Sequence, residues 1–363
     1  MSALAVILVL ALLIAVHELG HFMAARLQGI HVNRFSIGFG PILWKYQGSR
    51  TEYALRAIPL GGFVGFPDDD PDSKIPTDDP DLLSNRPIFD RAIVISAGVI
   101  ANLIFAYVVL VLQFGSLGIP EGLNYQAGAL VPQLVSREAP AAKAGIEAGD
   151  LILAVEGEKL PATGKSTQIL TEAIQTHPNQ PLELTVEREG ELRTLTVTPR
   201  VEADGKARIG VQLIPNGTPI YRPARNPFEV LGIAANQFQD MFLRITEGFA
   251  MLILNFQNTV GSVASPVKIV EQGAGIAQSN AASLFPFTAI ISINLAIINI
   301  LPLPALDGGQ LAFLIIEGLR GKPLPARIQD GVMQTGLVLL LGLGIFLIVR
   351  DTAQLQWVQQ LLE

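Results

Sequence analysis

ALAVILVLALLIAVHELGH, residues 3–21, begins with fourteen uncharged apolar residues and ends with three ionisable ones. A helix that crosses the hydrocarbon core of a bilayer needs about 20 mostly apolar residues. The run reaches that length only if the helix continues through His17, Glu18 and His21, so the sequence predicts a first span over 2–25. It could pass for a secretory leader. No charged residue precedes the run, however, and no clear small-residue cleavage site follows it, so a retained span is expected.

His17-Glu18-Leu19-Gly20-His21 has the spacing H-E-x-x-H. Residues i and i+4 share a helix face, so both imidazoles can reach one metal ion, and the intervening Glu18 becomes a candidate general base. The plainer reading is polar residues at a helix end. Location counts against it, because each ionisable group inside a membrane segment costs about 2.5–3.5 kcal/mol on insertion scales and defaults to function. Zinc supplies the compensating interaction that three such groups on successive turns require.

Half of the 363 residues are hydrophobic and 16% are charged, against about 25% charged in a soluble domain. Three further segments, 92–114, 284–301 and 331–349, meet or approach span length, while the middle of the chain has ordinary soluble composition. Lys and Arg cluster after the first span (Arg26, Arg34, Lys45, Arg50, Arg56) and after the third (Arg320, Lys322, Arg327). By the positive-inside rule those loops face the cytoplasm, and the middle domain and both termini lie outside. The net charge of −7 and the lack of a basic patch set nucleic acid aside as a partner. The chain has no cysteine, which excludes disulfides and thiolate metal sites. Histidine is confined to His17, His21, His31 and His177.

Catalytic zinc takes three protein ligands and a water. A third histidine at metzincin spacing would fall on Leu27, and the next carboxylate, Glu52, lies in a strand-like stretch. His31 lies beyond Gly29, off the helix face. Another membrane segment remains, ending NILPLPALDGGQ, 299–310. Pro302 and Pro304 break its helix, and broken backbone at membrane depth is tolerated only where it is buried in protein or lines a cavity. Asp307 follows directly. Alone it reads as the cap of a short helix over 308–319; paired with H-E-x-x-H in another span, it reads as the third ligand.

These two motifs together, H-E-x-x-H in the first span and Asn299, Pro302, Pro304, Leu306, Asp307 and Gly308 near the third, resemble the site-two protease family of intramembrane zinc metalloproteases. The single inserted domain is similar to the bacterial branch that includes the sigma-E regulator protease. The resemblance covers about 1–215 and 284–350. It implies one Zn2+ per chain, bound by His17, His21 and Asp307, with Glu18 as the base. It also implies that Asn299 and Asn294 hold substrate, although Asn294 reads equally well as a helix–helix hydrogen bond. Residues 35–66, which read as short strands separated by glycine turns, match the family's membrane-dipping β-loop. Its Gly61, Gly62 and Phe63 would receive substrate as an added strand. Residues 125–200 resemble a PDZ domain through Ala144-Gly145-Ile146 and Gly149-Asp150. Whether that domain binds peptide ends or screens substrates by size stays open. Two departures, Ala97-Gly98-Val99 and SPVKI at 265–269, bear on local loop geometry.

The fold expected is a polytopic α-helical membrane protein with about four transmembrane helices, a membrane-associated β-loop and an inserted PDZ-like α+β domain. Its parts are a membrane core over 1–115, the PDZ-like domain over 120–215, an amphipathic connecting region over 225–283 and the second half of the core over 284–363. Within the connecting region, 227–260 reads as helix and 261–283 as loop. The expected substrates are single-span membrane proteins, such as anti-sigma factors or signal-peptide remnants, cut in regulated intramembrane proteolysis after an upstream site-one protease. The expected location is the bacterial inner membrane, with the PDZ-like domain extracytoplasmic. The alternative is a catalytically inactive PDZ-bearing scaffold in the membrane. A zinc transporter is disfavoured because the second and fourth spans lack ionisable relays.

Overall fold

A computed structural model describes residues 2–70, 73–132, 134–135, 138–188, 190–202, 205–255, 263–279 and 281–353. In chain order the helices are α1 (Ser2–Leu27), α2 (Ile88–Leu117), α3 (Pro140–Lys143), α4 (Ser166–Thr176), α5 (Pro227–Leu254), α6 (Pro266–Ser279), α7 (Leu284–Ile300), α8 (Asp307–Arg320) and α9 (Ala326–Ala353). Two compact units form, one from residues 1–117 with 224–363 and the other from residues 118–223.

In the first unit, three helices among the described residues are long and apolar enough to cross a membrane: α1, α2 and α9. At about 1.5 Å per residue, their 26 to 30 residues span about 39–45 Å, more than the hydrocarbon core of about 30 Å. The expected third span, α7, has 17 residues and reaches only about 25 Å. It stops where Leu301 turns to extended geometry ahead of Pro302. Pro302 and Pro304 lack the N–H groups that a longer helix would use.

α2 is the central post and packs against α1, α5, α7 and α8. Ala106, Leu110, Ala234, Ala289 and Ile293 form its buried contacts with α5 and α7. Residues 266–279, expected to be loop, form α6, which packs against α1. Pro266 is a favourable first helical residue, and the Ser265 hydroxyl accepts from the Lys268 N–H at 3.3 Å, capping the helix. Residues 256–262, where the expected helix 227–260 and loop 261–283 meet, lie outside the described residues.

After α1 come β1 (Arg34–Gln47) and β2 (Glu52–Gly65), whose pairing shifts register along its length. Residues 34–37 run parallel to 52–55 on one side and pair with 62–65 on the other, while 44–47 pair with 52–55. The result is a four-stranded layer in which 62–65 is an edge, and β2 packs against α1.

The second unit holds β3 (Ile119–Leu130), β4 (Leu151–Val155), β5 (Glu158–Lys159), β6 (Leu182–Arg188), β7 (Glu191–Val197), β8 (Arg200–Val201), β9 (Ala207–Arg208) and β10 (Ile214–Arg222). Its main sheet runs β10-β3-β4-β6-β7 with β5 paired to β4. The alternation in 182–200 is realised as the antiparallel β6–β7 hairpin, whose Leu182, Leu184 and Val186 are fully buried with Leu170 and Ile174 of α4. Gly145 and Gly149 take φ of +85° and +95° at the turns after α3, geometry that glycine adopts without a Cβ penalty. Asp150 is fully buried. Its carboxylate accepts from Arg188 Nε at 2.7 Å and Nη2 at 2.8 Å and from the Glu147 N–H at 2.9 Å.

Candidate metal centre

The last turns of α1 carry His17 and His21 on one face, and their Nε2 atoms lie 3.2 Å apart. Asp307 is the first residue of α8. Its Oδ2 lies 3.3 Å from His17 Nε2 and 3.4 Å from His21 Nε2. Ligands at about 2.0–2.1 Å from a tetrahedral zinc ion are separated by about 3.3–3.4 Å. The triangle therefore already has nearly the edge length of three corners of that coordination shell. Asp307 Oδ2 is also buried and makes no hydrogen bond of acceptable geometry. An orphaned carboxylate oxygen facing two ring nitrogens calls for a cation. Asp307 is not spent as a helix cap, since the cap residue is Leu306 and no side-chain capping bond forms. The positive end of the α8 dipole favours its negative charge.

The surroundings orient the rings. His21 Nδ1 lies 2.8 Å from the Val94 carbonyl on α2, so Nδ1–H donates there and Nε2 keeps its lone pair toward the triangle. The Asn102 amide, also on α2, lies 3.3 Å from His17 Nδ1, and Asn299 Nδ2 lies 3.4 Å from His17 Nε2. Gly98 leaves room for the rings, since a Cβ there would lie 2.7 Å from Cε1 of both. Arg91 of α2 forms a two-pronged ion pair with Glu317 of α8, which ties the helix of Asp307 to the helix of Val94.

Residues 5–343 match the family described as Peptidase family M50. The chain belongs to that family. It is 58% identical over 368 residues to a protein of Nostoc sp. (strain PCC 7120) designated a candidate zinc metalloprotease, and the match covers all of both chains. It is 46% identical to the membrane metalloprotease ARASP, chloroplastic, of Arabidopsis thaliana, covering 99% of this chain and 81% of that one. It is 30% identical to the regulator of sigma-E protease RseP of Salmonella typhimurium, covering 94% of this chain and 97% of that one. The M50 chain is thus a zinc metalloprotease of the site-two type and an integral membrane protein.

The remaining residues singled out from the sequence fall in different places. Glu18 lies beside β2: a Cβ on Gly62 would come within 2.9 Å of Glu18 Cγ, so glycine lets the strand approach the carboxylate. The neighbouring Gly61 packs on the Phe39 ring, and the ring of Phe63 stacks under the Arg56 guanidinium at 5.6 Å. Asn294 instead donates to the Ile290 carbonyl one turn back along α7, at 2.9 Å on an exposed face. His31 Nε2 lies 3.6 Å from Asp79 Oδ1, in a group whose Asp81 is already paired with Arg86 at 2.7 Å. His177 belongs to the second unit, its Nδ1–H directed to the Ala173 carbonyl at 2.8 Å. Sequence reasoning missed Asn102 and Val94, and it assigned Ala97-Gly98-Val99 to loop geometry and not to the zinc site, whereas Gly98 lies inside α2 against the two rings. Asn102 had a signal, as an asparagine in the middle of an uncharged span.

Proposed function

We propose that this M50 protease cleaves transmembrane segments of single-span membrane proteins, with His17, His21 and Asp307 as the zinc ligands and Glu18 as the general base. One observation carries the reading: three metal-ligating atoms from α1 and α8 sit at mutual distances of 3.2, 3.3 and 3.4 Å. When bound there, zinc supplies Lewis-acid activation of a water and of the scissile carbonyl. Glu18, which lies between the two ligating histidines in sequence, accepts the water's proton and returns it to the leaving amine. Asn299 points its amide N–H at the site and serves as a donor to a bound backbone or a developing oxyanion.

A helical substrate keeps its peptide groups in internal hydrogen bonds, so it must unwind before it is cut. The edge at 62–65 offers an unwound strand the backbone partners it has lost. Its Gly62 lies against Glu18, which brings an added strand to the base. α7 completes a fourth crossing together with the broken segment 301–306, whose irregular backbone is tolerated because it lines the site. The second unit is read as a PDZ domain on the outer side of a bacterial inner membrane. A groove of about 530 Å³ between α4 and Val211 and Leu213 supports that reading. Regulated intramembrane proteolysis of anti-sigma factors or signal-peptide remnants, after a site-one cut, is the role proposed.

The test is Glu18→Gln in the full chain reconstituted with model single-span substrates. Zinc is retained at about one per chain, while cleavage falls by about 10²–10⁴, the usual contribution of a positioned general base. Wild-type cleavage by Glu18→Gln refutes the mechanism.

A further inference from the structure

Asn102 is fully buried in α2. Its Nδ2 faces His17 Nδ1 at 3.3 Å, and its Oδ1 is buried without a hydrogen-bond partner. The backbone around it is fixed, because the Asn102 carbonyl accepts from the Ser292 hydroxyl of α7 at 2.8 Å. At Nδ1 the ring accepts or donates according to its tautomer, and the amide presents an N–H or its carbonyl oxygen there according to its turn. Nε2 faces His21 Nε2 at 3.2 Å and Asp307 Oδ2 at 3.3 Å. Asn299 Nδ2 also lies 3.4 Å from it, so three groups converge on the nitrogen through which the ring binds a metal.

Zinc requires the tautomer with Nε2 bare and the proton on Nδ1. A ligating imidazole almost always donates that second N–H to an oxygen, which fixes the ring and raises its basicity. His21 already does so through the Val94 carbonyl. The acceptor within reach of His17 is Asn102 Oδ1, which a half-turn of the side-chain amide exchanges with Nδ2 at nearly the same volume.

We propose that Asn102 is a positioning residue that selects the tautomer of His17. Its amide oxygen accepts from Nδ1–H and so keeps Nε2 bare toward the site. Asparagine and aspartate both offer an acceptor there, and leucine of similar size offers none. The inference rests on the assignment of His17, His21 and Asp307 as zinc ligands, and its test separates the two claims.

Full-length protein in detergent is titrated with zinc against a chromogenic chelator, and the cobalt-substituted protein gives a visible spectrum of the ligand field. Wild type, Asn102→Leu, Asn102→Asp and His17→Ala are compared, with size-exclusion profile and helical circular dichroism as folding controls. Asn102→Leu binds zinc about 10- to 100-fold more weakly, the usual cost of losing such a partner, and its cobalt bands shift. Asn102→Asp binds as tightly as wild type or tighter. If wild type binds no zinc, or His17→Ala binds as wild type does, the ligand assignment fails and this inference with it. If the assignment holds but folded Asn102→Leu keeps wild-type affinity, the inference alone fails. It also fails if folded Asn102→Asp loses tenfold or more, which is the decisive arm should Asn102→Leu not fold.

Discussion

Gly98→Ala adds one methyl group to the middle of α2, where its effect on the metal centre follows from geometry. The new Cβ would lie 2.7 Å from Cε1 of His17 and 2.7 Å from Cε1 of His21, with His21 Nε2 closer still. Carbon atoms prefer about 3.5–4.0 Å, so the rings and α2 must separate by about 1 Å. A metal site tolerates ligand displacements of only about 0.2 Å. Stability responds much less. Overpacking costs about 1–3 kcal/mol, and replacing glycine in a helix interior returns up to about 1 kcal/mol. The variant therefore folds, but its zinc affinity falls at least tenfold, about 1.4 kcal/mol. Zinc per chain is read by atomic absorption, affinity by chelator competition and folding by thermal unfolding in detergent. Gly115→Ala is the control on the same helix, because a Cβ there meets nothing within 4 Å. Wild-type zinc affinity in Gly98→Ala would refute the claim that α2 packs directly on the two imidazoles.

The Arg91–Glu317 pair joins α2 to the helix that begins at Asp307, and both side chains are largely buried, at 16% and 14% exposed. Arg91→Glu lowers both the unfolding midpoint and the zinc affinity, and the swap Arg91→Glu/Glu317→Arg recovers part of each, with a coupling energy of about 0.5–3 kcal/mol from the double-mutant cycle. Strict additivity argues against the clamp. In the second unit, Arg188→Ala leaves Asp150 buried with the Glu147 N–H as its remaining donor, a loss of about 3–5 kcal/mol for a broken buried pair. Limited proteolysis of the full-length protein should then cut within 118–223 at a temperature where wild type resists. Equal resistance would show that Asp150 tolerates the loss of Arg188.

What the sequence made legible follows from how local each signal is. H-E-x-x-H is read from helix geometry alone, since four residues set both rings on one face. Asp307 was legible because two prolines and an acidic residue at membrane depth are costly unless they line something. α6 was missed because composition ranks small and polar residues as loop, whereas its helix is held by the Ser265 cap and by packing on α1, a tertiary term that overrides propensity. The double pairing of residues 34–37, with 52–55 and with 62–65, has no sequence signature, because register depends on which strand arrives on each side. Asn102 shows the limit most clearly. Its type and its apolar setting were visible, but not the ring it faces 85 positions earlier in the chain. That contact exists because Gly98, one turn before it, lets α2 approach the two rings where a methyl group would collide. The same close approach that gives His17 an acceptor for its second N–H thus forbids a side chain one turn away. The functional reading of either position therefore depends on the other.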